Sequence, residues 1–243
     1  MLKKEIFQIV MNNIELIKKH LIYEDNHLII YNKQPGLLVQ GDKTGDITLL
    51  EIIKYYLKIT KKKQGNIYLG LVHRLDRTSS GVMVFAKTSK ALSRLNKQFK
   101  NREVFKKYWA IVEGKNIPKR EKLINWIYKN QKKNKSFITL KELEGSKKAV
   151  LTYSLIKKLR DYSLIQVELD TGRHHQIRCQ IAHHGYPIKG DIKYGARRTN
   201  KNSSIYLHSR ELILIHPVTK KKLSFTAECP KDSLWEACEE VSS

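Results

Sequence analysis

The sequence reads as many short strands with a few helices, a pattern compatible with a mixed α+β chain. Short apolar runs at 27–31 and 82–86, an alternating stretch at 108–112 and a strand pair at 147–157 and 163–169 read as strands. Only a few stretches carry helical spacing, and 243 residues suffice for one large domain or two small ones.

Taken in order, residues 1–20 are weakly patterned and predict a short helix or strand. They mix charge and Asn into their apolar residues and lack the clean core of a signal peptide. Residues 27–31 form a strand, Gln34-Pro35-Gly36 a turn, and 37–39 a resumed strand. Residues 48–57 read as a helix capped by Thr48, with Glu51 at the capping-box position and an apolar stripe through Leu49, Ile52, Ile53, Tyr56 and Leu57. A second helix begins at Thr88; Leu92, Leu95 and Phe99 share one face and Lys90, Arg94, Lys97 and Lys100 the other. The lysine-rich segment 118–144 predicts a surface excursion with short strands near Trp126 and Phe137. A helix over 174–184 is closed by Gly185. Residues 205–227 alternate as strands, and a short helix or frayed end follows Glu228.

Charge narrows the function. Lys+Arg 47 against Asp+Glu 23 gives a formal net charge of +24. A solubilising surface or a lysine-rich genome explains part of that excess; nucleic acid is the natural partner for the rest, with acidic membrane surface second. No apolar run approaches membrane-spanning length. The three cysteines form no CxxC pair and suit a reducing compartment, so a cytoplasmic protein is expected.

In this basic chain one acid needs explaining. The stretch YLGLVHRLDRTSSGVMVFAK, residues 68–87, sets Asp76 among His73, Arg74 and Arg77, with Thr78, Ser79, Ser80 and Gly81 following. Neighbouring cations lower a carboxylate's pKa. Such an anion can act as nucleophile or base on a bound polyanion. It can equally be half of a structural ion pair with Arg74 or Arg77, and spacing alone favours the ion pair. Metal is not expected: His175, Cys179 and His183 fall on one helical face, but no fourth ligand lies at a typical spacing.

The string changes that balance. His73-Arg74-Leu75-Asp76 with Arg77-Thr78-Ser79-Ser80-Gly81 resembles the HRLD signature of the RluA-type pseudouridine synthases, Ser79 standing where Thr is more usual. Tyr23-Glu24-Asp25 and Lys33-Gln34-Pro35 resemble the family's first motif, with Gln34 inserted between Lys and Pro. Lys106-Lys107-Tyr108-Trp109-Ala110 resembles its Lys-x-Tyr-x-Ala motif. Thr171-Gly172-Arg173, His175-Gln176-Ile177-Arg178, Gly190-Asp191 and Tyr194-Gly195 resemble its third.

The resemblance implies a mixed, mostly antiparallel sheet with flanking helices around a central cleft. It implies a catalytic domain over 21–235, an N-terminal extension over 1–20 too short for the S4-type RNA-binding domain of many relatives, and a tail over 236–243. It makes Asp76 the essential catalytic residue, places Tyr108 against the target base, and has an Arg pair with Asp76, with Arg173 chosen and Arg178 second. His73, Arg74, Arg77 and Arg178 are the expected RNA contacts, Arg74 filling the gap left by the extruded uridine. Lys33, His208 and His216 are expected to brace. The implied activity is isomerisation of uridine to pseudouridine in ribosomal or transfer RNA, with no cofactor; a monomer is expected as the default state. The alternative is a non-catalytic RNA-binding or ribosome-assembly protein on the same fold.

Overall fold

The computed structural model describes residues 14–42, 44–62, 64–114, 116–139, 141–200 and 202–239. The expectations for 1–13 and for the end of the tail, 240–243, lie outside the described residues.

A short helix α1 (Ile14–Lys19) leads into β1 (Leu21–Glu24) and β2 (Leu28–Lys33), then α2 (Leu49–Thr60). Thr48 and Glu51 form the full capping box, Thr48 Oγ1 accepting the Glu51 N–H at 3.2 Å and the Glu51 carboxylate accepting the Thr48 N–H at 3.0 Å. The two-residue β3 (Gly70–Leu71), β4 (Ser80–Ala86) and α3 (Ser89–Lys100) follow, with Thr88 capping α3. The remaining elements are β5 (Phe105–Glu113), β6 (Arg120–Asn130), β7 (Lys135–Thr139), β8 (Lys147–Lys158), β9 (Tyr162–Leu169), α4 (Gln176–His183), β10 (Leu207–Ile215), β11 (Lys222–Thr226) and α5 (Ser233–Glu239).

The strands form one sheet in the order β1-β2-β4-β10-β5-β9-β8-β6-β7, with β11 paired to β10 and β3 to β4. Its pairings are antiparallel except at the centre, where β4 and β10 run parallel through His208↔Ser80 and Ser209↔Gly81. This junction demands glycine. Gly81 has φ +116°, and an added Cβ would lie 2.3–2.7 Å from the Ser209 backbone.

One half-sheet is packed on both faces. Leu49 and Ile53 of α2 sit on Ile29, Tyr31, Met83 and Phe85, while Ala91 and Leu95 of α3 cover Leu28, Ile30, Val82 and Val84. This explains why β4 is wholly buried and reads as a continuous apolar run. In the other half, Ile177 and Ile181 of α4 pack on the face holding Tyr108, Leu123, Leu151 and Val167. The opposite face is covered near β5 and β9 by Trp235 of α5 and stays open over β6, where Ile124 is 56% exposed.

Two expectations are corrected. Residues 37–39 form no strand, only a bridge between Leu38 and Thr48, because the Gly36 N–H bonds the Arg77 carbonyl at 2.8 Å and draws the chain toward the Asp76 loop. The strands expected near Trp126 and Phe137 are present as β6 and β7, but the 118–144 segment is part of the main sheet and not an excursion, with β6 eleven residues long and paired to both β7 and β8. Only Leu123 and Ile127 of β6 are buried, and Ile124, Trp126 and Tyr128 put apolar residues on its outer face as well, so the strand shows no clean alternation and the lysines of the following turn dominate the segment.

Candidate active site

Asp76 rides on the loop between β3 and β4. The buried Lys33 at the end of β2 donates through Nζ to the carbonyls of Gln34 (3.0 Å), Arg77 (3.2 Å) and Ser79 (2.6 Å). Burial pushes Lys33 down to about 7, opposed by the charge of Asp76. From the segment that leads into β10, the Ile205 N–H bonds the Thr78 carbonyl at 3.0 Å. The loop carbonyls thus meet fixed donors, and the loop tip points into the cleft.

The opposing wall is built by α4. Arg178, in the first turn of this helix, donates from Nη1 to Asp76 Oδ2 at 2.8 Å. Its Nε and Nη2 grip both oxygens of the buried Asp191 at 2.6 and 2.8 Å. The guanidinium also lies 5.1 Å from the Tyr194 ring centroid. Charge alternates along the chain Asp76–Arg178–Asp191, and the fork to Asp191 fixes the plane of the guanidinium. His175 Nε2 stands 3.5 Å from Asp76, and its Nδ1 pairs with the Tyr194 hydroxyl at 2.9 Å. Burial opposes ionisation of Asp76, but His175 and Arg178 outweigh it and hold the carboxyl below its usual range. Since burial pushes His175 itself down to about 3, Arg178 is the cation that keeps Asp76 ionised at neutral pH.

Arg173, expected to pair with Asp76, is turned elsewhere. The Gln176 side chain accepts its backbone N–H at 2.9 Å and the Thr171 hydroxyl at 2.8 Å. This tight turn sends the guanidinium outward, where Nε donates to the Lys148 carbonyl at 3.0 Å. His175 then takes a left-handed φ of +51°, reversing the chain so that Arg178 faces inward. Arg178, expected second, holds the place.

The other expected residues divide. Tyr108 on β5 is buried in the wall of the cleft, and burial pushes its hydroxyl up to about 12. Arg74 is exposed at the lip with no side-chain partner among the described residues. Arg77 also lines the cleft, but donates to the Gly36 carbonyl at 3.1 Å and to Asp46 at 2.8 Å, so it clamps the loop. His73 corrects its expectation as a cation. Its Nε2 accepts the Val84 N–H at 3.1 Å, its ring stacks on Phe99, and burial pushes it down to about 3, so it is neutral. His208 is buried between Ser80 and the Ala227 carbonyl, and His216 pairs with Asp25 at 2.8 Å.

The cleft has a volume of about 1470 Å³ and is lined by Arg74, Asp76, Tyr108, Arg178 and Ile192 among others. Among the described residues no group of three or more His, Cys, Asp or Glu could hold a metal ion. Sequence reasoning assigned no site role to His175, Asp191 or Tyr194, although all three stand in motif positions.

Residues 27–183 match the family described as RNA pseudouridylate synthase. Ribosomal large subunit pseudouridine synthase D of Buchnera aphidicola subsp. Schizaphis graminum (strain Sg) is 33% identical over 232 residues, covering 89% of this chain and 71% of the relative. Synthase C of the same organism is 37% identical over 216 residues, covering 86% and 66%. The structure called Human RNA Pseudouridylate Synthase Domain Containing 4 superposes with TM-score 0.77 at 24% identity, covering 93% of this chain and 94% of that one. Human RNA Pseudouridylate Synthase Domain Containing 1 gives TM-score 0.70 at 20% identity, covering 90% and 86%, and both likenesses show the fold. With the family pattern spanning both walls of the cleft, the chain belongs to the RluA-type family of RNA pseudouridylate synthases.

Proposed function

We propose that this protein isomerises specific uridines of ribosomal or transfer RNA to pseudouridine, with Asp76 as the group that reacts with the nucleotide. One observation carries the reading: a carboxylate kept anionic by an arginine that is itself locked to a buried aspartate, facing an open cleft in a strongly basic protein. Exposed cations hold phosphates. A uridine extruded from its stack enters the cleft with its base against Tyr108, and Arg74 fills the vacated place.

The bond changes define what Asp76 must do. The C1′–N1 bond breaks, a C1′–C5 bond forms, the C5 proton leaves and N1 gains a hydrogen. Every atom of the product is in the uridine, so the balance calls for no cofactor. An anionic Asp76 serves this as nucleophile toward the ribose or the base, or as the base that takes a ribose proton. Arg178 orients the carboxylate and keeps it charged. A cytoplasmic monomer completes the reading.

Carbodiimide labelling with reverse-transcription stops tests it, because isomerisation leaves mass unchanged. Wild type and Asp76→Ala are compared on total ribosomal and total transfer RNA. Stops that require Asp76 are expected, and they also locate the target. No stops in either pool, with RNA still bound, would replace this reading with a non-catalytic RNA-binding protein.

A further inference from the structure

A second cavity, of about 280 Å³, adjoins the cleft. Arg102, Asp170, Thr171 and Arg173 line both. Past this shared rim it runs onto the open face of β6 and β8, where Lys122, Ile124, Lys148 and Val150 complete the lining. Ile124 and Val150 are direct cross-strand partners, so they make one apolar floor. Four cations face one acid. That acid, Asp170, lies 3.6 Å from Lys122, and the side chains of Arg102 and Lys148 have no partner among the described residues.

Arg102 brings an independent observation. Helix α3 ends with the Glu103 N–H bonded to the Gln98 carbonyl and the Arg102 N–H to the Phe99 carbonyl. Arg102 therefore occupies the left-handed position that usually takes glycine, at φ +61°. An arginine there forgoes the cheaper residue and delivers a guanidinium to the rim between the two cavities. Strain kept where a simpler residue would serve points to a job for the side chain.

We propose that this groove is an RNA subsite for a nucleotide flanking the target uridine. Arg102, Lys148 and Arg173 take the phosphate, and Ile124 and Val150 floor the base. Asp170 accepts from a base N–H or the ribose 2′-hydroxyl. The proposal rests on the RNA-modifying reading and names where the strand continues as it leaves the cleft.

Affinity for total ribosomal and total transfer RNA, measured by filter binding across a salt series, tests it without turnover. Arg102→Gly, Lys148→Glu and Ile124→Ala are compared with wild type and with Lys58→Glu/Lys222→Glu, exposed lysines that line neither cavity. Each cation variant is expected to weaken binding about fivefold or more and to make the salt slope shallower by about 0.7, the value for one single-strand phosphate contact. Ile124→Ala should weaken binding with the slope unchanged. Arg102→Gly should melt no lower than wild type, which separates lost contact from lost fold. Equal losses in the control pair, or unchanged affinity in the groove variants, would overturn the subsite. Absence of pseudouridine in the wild-type assay would instead sink the catalytic reading, and the affinity comparison would still be readable.

Discussion

The Asp76–Arg178–Asp191 chain and the groove behind it are both electrostatic, yet they are built in opposite ways. In the chain, Arg178 and Asp191 are 5% and 1% exposed and meet assigned partners. In the groove, Arg102 and Lys148 stand in solvent. Buried charges act through geometry, since each is costly without its mate. Exposed charges act through counterion release and weaken with salt. The contrast teaches that buried arginine can fix a carboxylate in place while exposed arginine and lysine stay free, so the proposed chemistry and the proposed RNA subsite draw on different cations.

The largest expected effect removes the reacting group. Asp76→Asn keeps the shape and two hydrogen-bonding atoms, so RNA affinity should hold while the rate of pseudouridine formation falls by about 10³-fold or more. Equal rates would erase the distinction between chemistry and grip. Arg178→Met breaks the chain in its middle and leaves Asp191 buried and unpaired, at a cost of about 3–5 kcal/mol in denaturant unfolding. Arg178→Lys retains a charge but loses the fork. Asp76 is held below its usual range, so wild-type activity should persist into acid until that low pKa is crossed. With Arg178 weakened, the Asp76 pKa rises and the acid limb of kcat/KM should shift to higher pH. The stability linkage has the same sign: the contribution is present above the unfolded-state pKa and is lost as pH falls through the folded one.

The junction beneath the chain is next. Gly81→Ala places a methyl 2.3 Å from the Ser209 carbonyl oxygen in a left-handed residue. It should cost about 3 kcal/mol, ~1 of it from the backbone conformation and the rest from displacing β10. A loss under ~1 kcal/mol would mean that β10 moves aside easily and that the junction does not demand glycine.

What the sequence made legible follows the same divide. The packed half-sheet announced itself because both faces are dry: β4 is an unbroken apolar run, and α2 carries its capping box in plain residues. The motif loop was legible as a string, and Asp76 does stand in the cleft. The choice between Arg173 and Arg178 was not legible. It depends on the turn held by Gln176 and on the left-handed His175, neither of which leaves a compositional trace. Likewise, no local pattern reveals that His73 accepts a strand N–H and is neutral. Strand β6 was legible only as a short strand near Trp126, because its apolar residues fall on both faces and the chain on either side of it is lysine-rich.

Arg102→Gly gives the smallest and most discriminating effect. Here the wild-type residue sits at φ +61°, a conformation that disfavours L side chains by about 1–2 kcal/mol. Glycine adopts it freely but has more freedom to lose from the unfolded chain, so a net gain of about 0.5–1 kcal/mol is expected in chemical denaturation. RNA affinity should fall in the same variant. Opposite signs from one substitution would identify Arg102 as a residue kept for its guanidinium, as Arg178 is kept for its partners. A loss of stability would show that the side chain holds the rim together, and the groove would then belong to the same fixed machinery as the cleft.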